Sequence, residues 1–188
     1  MFLVSFNGHF VNGIPAFPYQ IQFAPAFPLQ GMCDDYYHDG APGDSWRAYL
    51  NQLSNPQLSY MRFGNQGVVP YEEAAWLLQQ TYLTPGYQWP DMNFAAWHIF
   101  NSTVPINANS QSWINLAAAN YQGGDYSDVY IATPVQIHAP PAGDQEFLFV
   151  WEYRNPHSPT EVPEPGSLTL LATGSCGAVA AWRRRGMG

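Results

Sequence analysis

The end of the chain constrains its fold most strongly. Residues 166–182 contain no charged side chain, and three arginines, Arg183, Arg184 and Arg185, follow directly. As a helix this run is about 25 Å long, near the lower limit for crossing a hydrocarbon core of ~30 Å. Arginines beside a span favour the cytoplasmic side. The pattern predicts a short C-terminal transmembrane helix in the inner membrane, with the upstream chain on the far side. A helix buried in a globular core is the alternative, but such a helix would not be expected to end in three arginines.

A proline-rich motif, Val162-Pro163-Glu164-Pro165, stands immediately before the apolar run. The order of motif, short span and arginine stop resembles the PEP-CTERM sorting signal of exported bacterial proteins. The resemblance implies that a membrane-embedded exosortase reads the motif and processes the tail. Glycine, serine and threonine dilute the run and make its insertion marginal, which suits a segment that is processed. A permanent membrane anchor is the alternative.

The tail divides the chain into three predicted parts. Residues 1–154 form an exported domain, residues 155–162 a proline-rich spacer, and residues 163–186 the sorting signal with its short helix. The first seven residues have no basic region and no long apolar run, so they are not a signal peptide. Because a sorting tail requires export, we expect the true start of the protein to lie further upstream.

Charge excludes several classes of partner. Residues 1–162 contain three arginines against thirteen acids, a net charge of −10. Such a surface repels phosphate backbones, which excludes nucleic acid as a partner. The composition, 46% hydrophobic and 16% aromatic, is that of a folded domain.

Strand signals at both ends of this domain flank a helical region, which predicts an α+β fold with a helical insert over residues 70–121. Asn7-Gly8 and Asn12-Gly13 predict hairpins. A strand near residues 45–50 would place Trp46, Ala48 and Leu50 on one face. The predicted helices are residues 70–83, 91–100 and 110–121, and the later strands are residues 129–133 and 145–153.

Two details of the helices are specific enough to test. The first helix is expected to bury a stripe of Ala75, Leu78 and Tyr82. The third is expected to take its N-cap from Ser110 or Asn109.

No arrangement typical of catalysis is present: the sequence has no Gly-x-Ser-x-Gly, no His-Glu-x-x-His and no glycine-rich phosphate loop. We therefore expect a protein that is not an enzyme and needs no cofactor or metal. Residues 34–44 leave one alternative open, since they hold His38 and four aspartates that could bind calcium: Asp34, Asp35, Asp39 and Asp44. Turn formation explains these aspartates equally well.

Cys33 has no partner cysteine in the exported domain, because Cys176 lies in the apolar tail. We expect Cys33 to be buried.

Residues 31–149 resemble the exported domain common among PEP-CTERM proteins, and more faintly the thioester domains of bacterial surface adhesins. In those domains a strand cysteine bonds a glutamine that precedes an Ala-x-Trp helix. Here the glutamine position holds Asn93, one methylene shorter, in Asn93-Phe94-Ala95-Ala96-Trp97.

The sequence as a whole predicts an exported cell-envelope or extracellular-matrix protein that an exosortase processes. Its expected location is the membrane during export and then the cell surface or exterior. Extracellular polysaccharide is a candidate partner. The alternative is a surface adhesin or glycan-binding module with a thioester-like fold.

Overall fold

Strands from both ends of the domain build its sheet. The computed structural model describes residues 2–6, 9–11, 14–16, 19–23, 28–38, 45–135 and 144–151, all within the unit Met1–Glu152. The strands are β1 Phe2–Phe6, β2 His9–Val11, β3 Ile14–Ala16, β4 Tyr19–Phe23, β5 Pro28–Cys33, β6 Ser45–Trp46, β7 Ala48–Gln52, β8 Val129–Pro134 and β9 Phe147–Val150. The helices are α1 Val69–Thr81, α2 Trp89–Phe100 and α3 Ala108–Asn120. The α+β prediction, with helices between two groups of strands, is confirmed.

The main sheet has the order β6-β1-β4-β5-β9-β8-β7, and its pairs are antiparallel. The N-terminal strands join the C-terminal ones through β5 and β9. A separate hairpin of β2 and β3 pairs Val11 with Ile14, so Asn12-Gly13 is its connection, as predicted. The hairpin predicted at Asn7-Gly8 is wrong, because β1 pairs with β4 and not with β2.

The strand predicted near residues 45–50 is present, but it changes partners at Arg47. Trp46 in β6 pairs with Phe2, whereas Ala48 in β7 pairs with Pro134. Arg47 alone separates β6 from β7, so the sheet curls until the two ends of its strand order lie within about 7 Å of each other. The face predicted for Trp46, Ala48 and Leu50 is covered at one end only, since Trp46 is buried whereas Leu50 is 48% exposed.

The helices differ from the predictions at their ends. α1 ends at Thr81, so Tyr82 lies beyond it and is exposed; the predicted stripe is wrong at that position. α3 begins earlier than predicted because Asn107 is its N-cap, not Ser110 or Asn109. Asn107 is extended, and its Oδ1 accepts a hydrogen bond from the Ser110 N–H at 2.8 Å.

The two faces of the sheet bury two apolar clusters. Leu148 and Ile131 pack under the helices with Leu77, whereas Phe147 and Phe149 pack on the other face. Because both its faces are covered, β9 is apolar at all four positions instead of alternating. α2 contributes side chains to both clusters.

We expect Leu148→Ala to lower the free energy of unfolding by about 2–5 kcal/mol, because it opens a cavity at a fully buried position. Chemical denaturation measures the change. Leu83→Ala removes the same atoms from a side chain that is 80% exposed and should change stability by less than about 0.5 kcal/mol. Equal effects at the two positions would contradict the assigned core.

Candidate functional site

A cluster of buried acids lies where β5 ends and β9 begins. Cys33 pairs with Phe147, so Asp34 and Asp35, which follow β5, meet Glu146, which precedes β9. Their exposed fractions are 1%, 2% and 0%. Arg62, from the loop between the 3-10 turns Leu58–Tyr60 and Gly64–Gln66, and Tyr71, from α1, reach the same place. These residues are called the carboxyl cluster: Asp34, Asp35, Glu146, Arg62 and Tyr71.

Glu146 is the acceptor at the centre of the cluster. It accepts hydrogen bonds from the Tyr71 hydroxyl at 2.7 Å, from the Arg62 backbone N–H at 2.9 Å and from the Thr133 hydroxyl. The donors come from α1, from a loop and from β8. Glu146 therefore links three separate parts of the domain to the start of β9 and has its oxygen atoms satisfied.

Asp35 carries the ion pair of the cluster. Its Oδ2 contacts the Arg62 guanidinium, and its Oδ1 lies 2.9 Å from the His38 Nδ1. Arg62 also donates from Nη2 to the Asp144 carbonyl at 2.7 Å. The guanidinium thus joins the segment after β5 to the segment before β9.

Asp34 has a different environment. No hydrogen-bond donor from another described side chain reaches its carboxyl oxygens. Burial raises the pKa of Asp34 well above its usual range, and the charge of Glu146 raises it further. The shift favours the neutral form of the Asp34 carboxyl group. Burial, with the same two acids nearby, also raises the pKa of Tyr71.

The structure brings Cys33 and Asn93 together. The Asn93 Nδ2 donates a hydrogen bond to the Cys33 backbone carbonyl at 3.1 Å, and both residues are fully buried. The predicted burial of Cys33 is thus confirmed. The amide contacts the backbone of Cys33 and not its sulfur, which instead donates to the Asp35 carbonyl at 3.3 Å. A covalent bond between the pair stays a hypothesis.

The thiol of Cys33 is not poised as a nucleophile. Burial is the main reason that its pKa lies well above the usual value, and the charge of Asp34 adds to the effect. The Trp97 side chain and Arg62 oppose the shift without cancelling it. The thiolate is the reactive form of cysteine, so this environment suppresses reactivity.

Two of the four aspartates predicted as possible calcium ligands are not available for a calcium ion. Asp34 and Asp35 face into the domain toward Glu146 and Arg62, while Asp39 and Asp44 lie outside the described residues. Within the described part of the chain, no three or more His, Cys, Asp or Glu side chains are grouped to hold a metal ion.

The carboxyl cluster is not visible in the sequence. Its members lie at four distant places in the chain, and Asp34-Asp35 resembles an ordinary acidic turn. One signal was available: both strand ends carry acids directly beside an apolar run, Met32-Cys33 on one side and Phe147-Leu148 on the other. Acids at such positions need a buried partner, and Arg62 is one of only three arginines upstream of the tail.

The tail is identified by comparison with known families. The PEP-CTERM protein-sorting motif matches residues 161–185. The chain carries a PEP-CTERM sorting signal. The match includes the Val162-Pro163-Glu164-Pro165 motif and the arginines 183–185. No curated protein and no solved structure matches the chain.

The predicted transmembrane helix lies outside the described residues, as do the spacer and the PEP-CTERM motif itself. Among the helices that are described, none has the length and apolar character needed to cross a bilayer. The membrane span of the tail therefore stays a prediction.

The raised pKa of Asp34 predicts a pH dependence of the stability. An acid whose pKa is raised by folding binds more protons in the folded state, so wild-type stability should fall as the pH rises above about 4, by up to about 1.4 kcal/mol per pH unit. Asp34→Asn cannot ionise and removes this loss. Urea unfolding at about pH 5 and about pH 8 measures the free energy of unfolding of both proteins. Relative to the wild type, the variant should be more stable at about pH 8 than at about pH 5.

Asp125→Asn is the matched control. The Ser127 hydrogen bonds lower the pKa of Asp125. The stability that Asp125 contributes is therefore lost only when the pH falls below the pKa of aspartate in the unfolded chain. The control should show no shift between the two pH values. If Asp34→Asn behaves as the control does, Asp34 is ionised in the folded protein.

Proposed function

We propose that the chain is a cell-envelope or extracellular-matrix protein that an exosortase processes at its C-terminus. The match of residues 161–185 to the PEP-CTERM motif carries this proposal. The short apolar segment of the tail holds the exported domain at the membrane, and processing then releases it to the cell surface or exterior. Arg183, Arg184 and Arg185 hold the end of the tail on the cytoplasmic side until then.

We further propose that the domain acts by binding or assembly and not by catalysis. The groups at and beside the carboxyl cluster whose pKa is raised are all buried: Asp34 is 1% exposed, and Tyr71 and the neighbouring Cys33 are 0% exposed. A catalytic acid or nucleophile needs access to its substrate. The contacts of the cluster instead connect the end of β5 to the start of β9, which is a structural role.

Extracellular polysaccharide is the partner class that we propose for such a domain. Several tyrosines present their rings to solvent: Tyr37, Tyr49, Tyr60, Tyr82 and Tyr87, the last being 77% exposed. Exposed aromatic rings offer flat apolar surfaces with a polar tip. Residues 74–90, which include Tyr82 and Tyr87, contain no charged side chain, so the ligand favoured there is a neutral one.

The sorting proposal predicts that Glu164→Ala blocks processing without affecting the fold. Glu164 is the charge between the two prolines of the motif and the expected recognition group. In a host with the matching exosortase, the variant should accumulate as unprocessed, membrane-bound precursor. Immunoblots of membrane and exterior fractions measure this, and the thermal midpoint of the domain should be unchanged because surface substitutions cost less than about 0.5 kcal/mol.

Glu161→Ala is the control for this experiment. It removes the nearest upstream acid but leaves Pro163-Glu164-Pro165 intact, so processing should continue. Normal maturation of the Glu164→Ala variant would contradict the proposal and favour a permanent membrane anchor.

A surface adhesin with a thioester-like fold is the second candidate. A thioester would need Cys33 and Asn93 to be adjacent, and the Asn93 side chain lies against the Cys33 backbone. Formation of the bond would join the Cys33 sulfur to the Asn93 side-chain carbonyl carbon and release ammonia. The shorter asparagine side chain and the protonated, buried thiol both oppose this reaction.

We therefore expect the intact mass of the purified protein to equal that of its sequence, with no loss of ammonia. Mass spectrometry under mild conditions measures this directly. The adhesin candidate predicts a mass lower by one ammonia, and Cys33→Ser would abolish that difference. Observation of the lower mass would replace the binding proposal with covalent capture of a partner.

A further inference from the structure

The turn after α2 carries an acceptor motif for asparagine-linked glycans. Asn101-Ser102-Thr103 has the pattern of an asparagine followed two positions later by serine or threonine, with a residue other than proline between them. No other asparagine in the sequence has serine or threonine at this spacing. Glycans are attached at the surface, so the place of the motif in the fold decides whether it is usable.

The motif lies in a tight turn at the surface. Asn101 is the C-cap of α2 and has extended backbone angles, φ −146° and ψ 99°. Its carbonyl accepts a hydrogen bond from the Val104 N–H at 3.0 Å, which closes a four-residue turn around Ser102 and Thr103. Those two residues are exposed, and Asn101 is partly buried. A modifying enzyme therefore reaches the motif without unfolding the domain.

The side chains of the motif are fixed relative to each other. The Asn101 Oδ1 accepts hydrogen bonds from the Thr103 N–H at 3.1 Å and from the Thr103 hydroxyl at 2.7 Å. A backbone N–H only donates, so the amide atom that faces it is the oxygen. The Thr103 hydroxyl has a single hydrogen, so the Tyr37 hydroxyl, 2.7 Å away, is the donor to its oxygen.

These bonds leave the nitrogen end of the Asn101 amide available. Nδ2 has no hydrogen-bond acceptor among the described residues, and it is not enclosed by the protein. The Thr103 hydroxyl lies at the same surface, next to the amide. The turn thus presents together the nitrogen atom that is modified and the hydroxyl group that the motif requires.

We propose that Asn101 is the attachment site of an N-linked glycan. The co-reactant is a glycosyl pyrophosphate, in which the anomeric carbon of a sugar is bonded to a pyrophosphate that a lipid or a nucleoside carries. A bond forms between the Asn101 Nδ2 and the anomeric carbon, and the bond from that carbon to the pyrophosphate oxygen breaks. Its electron pair leaves with the pyrophosphate, and Nδ2 gives one proton to the transferring enzyme.

The surface beside the motif is one that a glycan would help to keep in solution. Residues 92–124 contain no aspartate, glutamate, lysine or arginine, although residues 1–162 carry a net charge of −10. α3 follows the motif and presents Leu116, 45% exposed, together with Ala118 and Ala119 to solvent. Glycans are bulky and solubilising, so one at Asn101 would supply hydration beside this uncharged surface.

Peptide mass spectrometry of the full-length protein, taken from the cells that naturally produce it, tests the site. The peptide that contains Asn101 should be heavier by one or more sugars, and fragmentation should place the added mass on Asn101. The cytoplasmic, membrane and exterior fractions are compared. A glycan present only after the chain has crossed the membrane assigns the lipid-linked donor, and a glycan already present in the cytoplasm assigns the nucleoside-linked donor.

The inference rests on the proposed function only for the kind of donor, and the same fractions separate the two. An unmodified Asn101 in every fraction would overturn the inference and leave the proposed function intact. A glycosylated chain that never leaves the cytoplasm would overturn the proposed function and leave the site standing.

Substitutions within the motif test its chemistry. Asn101→Gln removes the acceptor, and Thr103→Val removes the hydroxyl group, so each should abolish the added mass. Thr103→Ser keeps the hydroxyl group and should retain the glycan. Tyr37→Phe is the control for the structural role of Thr103, because it removes the bond between the two hydroxyls but leaves the motif intact. Its glycan should persist.

Ser102→Pro separates the motif from the fold. Proline in the middle blocks the motif, yet this is the second position of the turn, where proline is favoured. Asn101 before it is already extended, as a residue preceding proline prefers. The variant should lose the glycan and keep the thermal midpoint of the Asn101→Gln protein.

Asn109→Gln is the matched control, since Asn109 is exposed but lacks serine or threonine two positions later. Its glycan at Asn101 should be unchanged. A Ser102→Pro protein that is still modified at Asn101 would overturn the inference.

Discussion

The pairing of β5 with β9 holds the domain together, because it is the place where the N-terminal strands meet the C-terminal ones. Met32 pairs with Leu148 across more than a hundred residues of chain. The side chains of β9 are buried on both faces, so each face of the sheet depends on this one strand. A contact between segments so distant in sequence must overcome a large loss of chain entropy, and local propensity cannot supply it.

The carboxyl cluster lies at the end of this pairing and explains how its register is set. Asp34-Asp35 and Glu146 flank β5 and β9, and Arg62, Tyr71 and Thr133 fit only when the two strands are correctly aligned. Three buried acids beside one guanidinium would be strongly destabilising if all were ionised. The raised pKa of Asp34 favours its neutral form, which reduces that cost. We interpret the cluster as a device that gives specificity to the strand pairing more than net stability, a role that buried polar groups have in some other proteins.

The sequence predicted the features that depend on local pattern. The helices are encoded by apolar residues at helical spacing, with Pro70 at the start of the first, and the hairpin predicted at Asn12-Gly13 is present as the paired strands β2 and β3. The tail is also local, since its motif, span and arginines are contiguous. The features that were missed depend on long-range contacts. The partner change at Arg47 requires knowledge of where β1 and β8 lie, and the burial of Asp34 requires Glu146 to be placed beside it.

An exported domain must stay folded, and its cysteine must stay unreactive, outside the cell. Cys33 is the one cysteine upstream of the tail, so no disulfide can be formed within residues 1–162 to constrain the unfolded chain. Stability outside the cell must then come from packing and from the strand pairing. Burial of Cys33 under Trp97, with its pKa raised, also protects the thiol from an oxidising exterior. Burial thus suppresses the reactivity of the lone cysteine, whereas several tyrosines stay exposed on the surface for contact with partners.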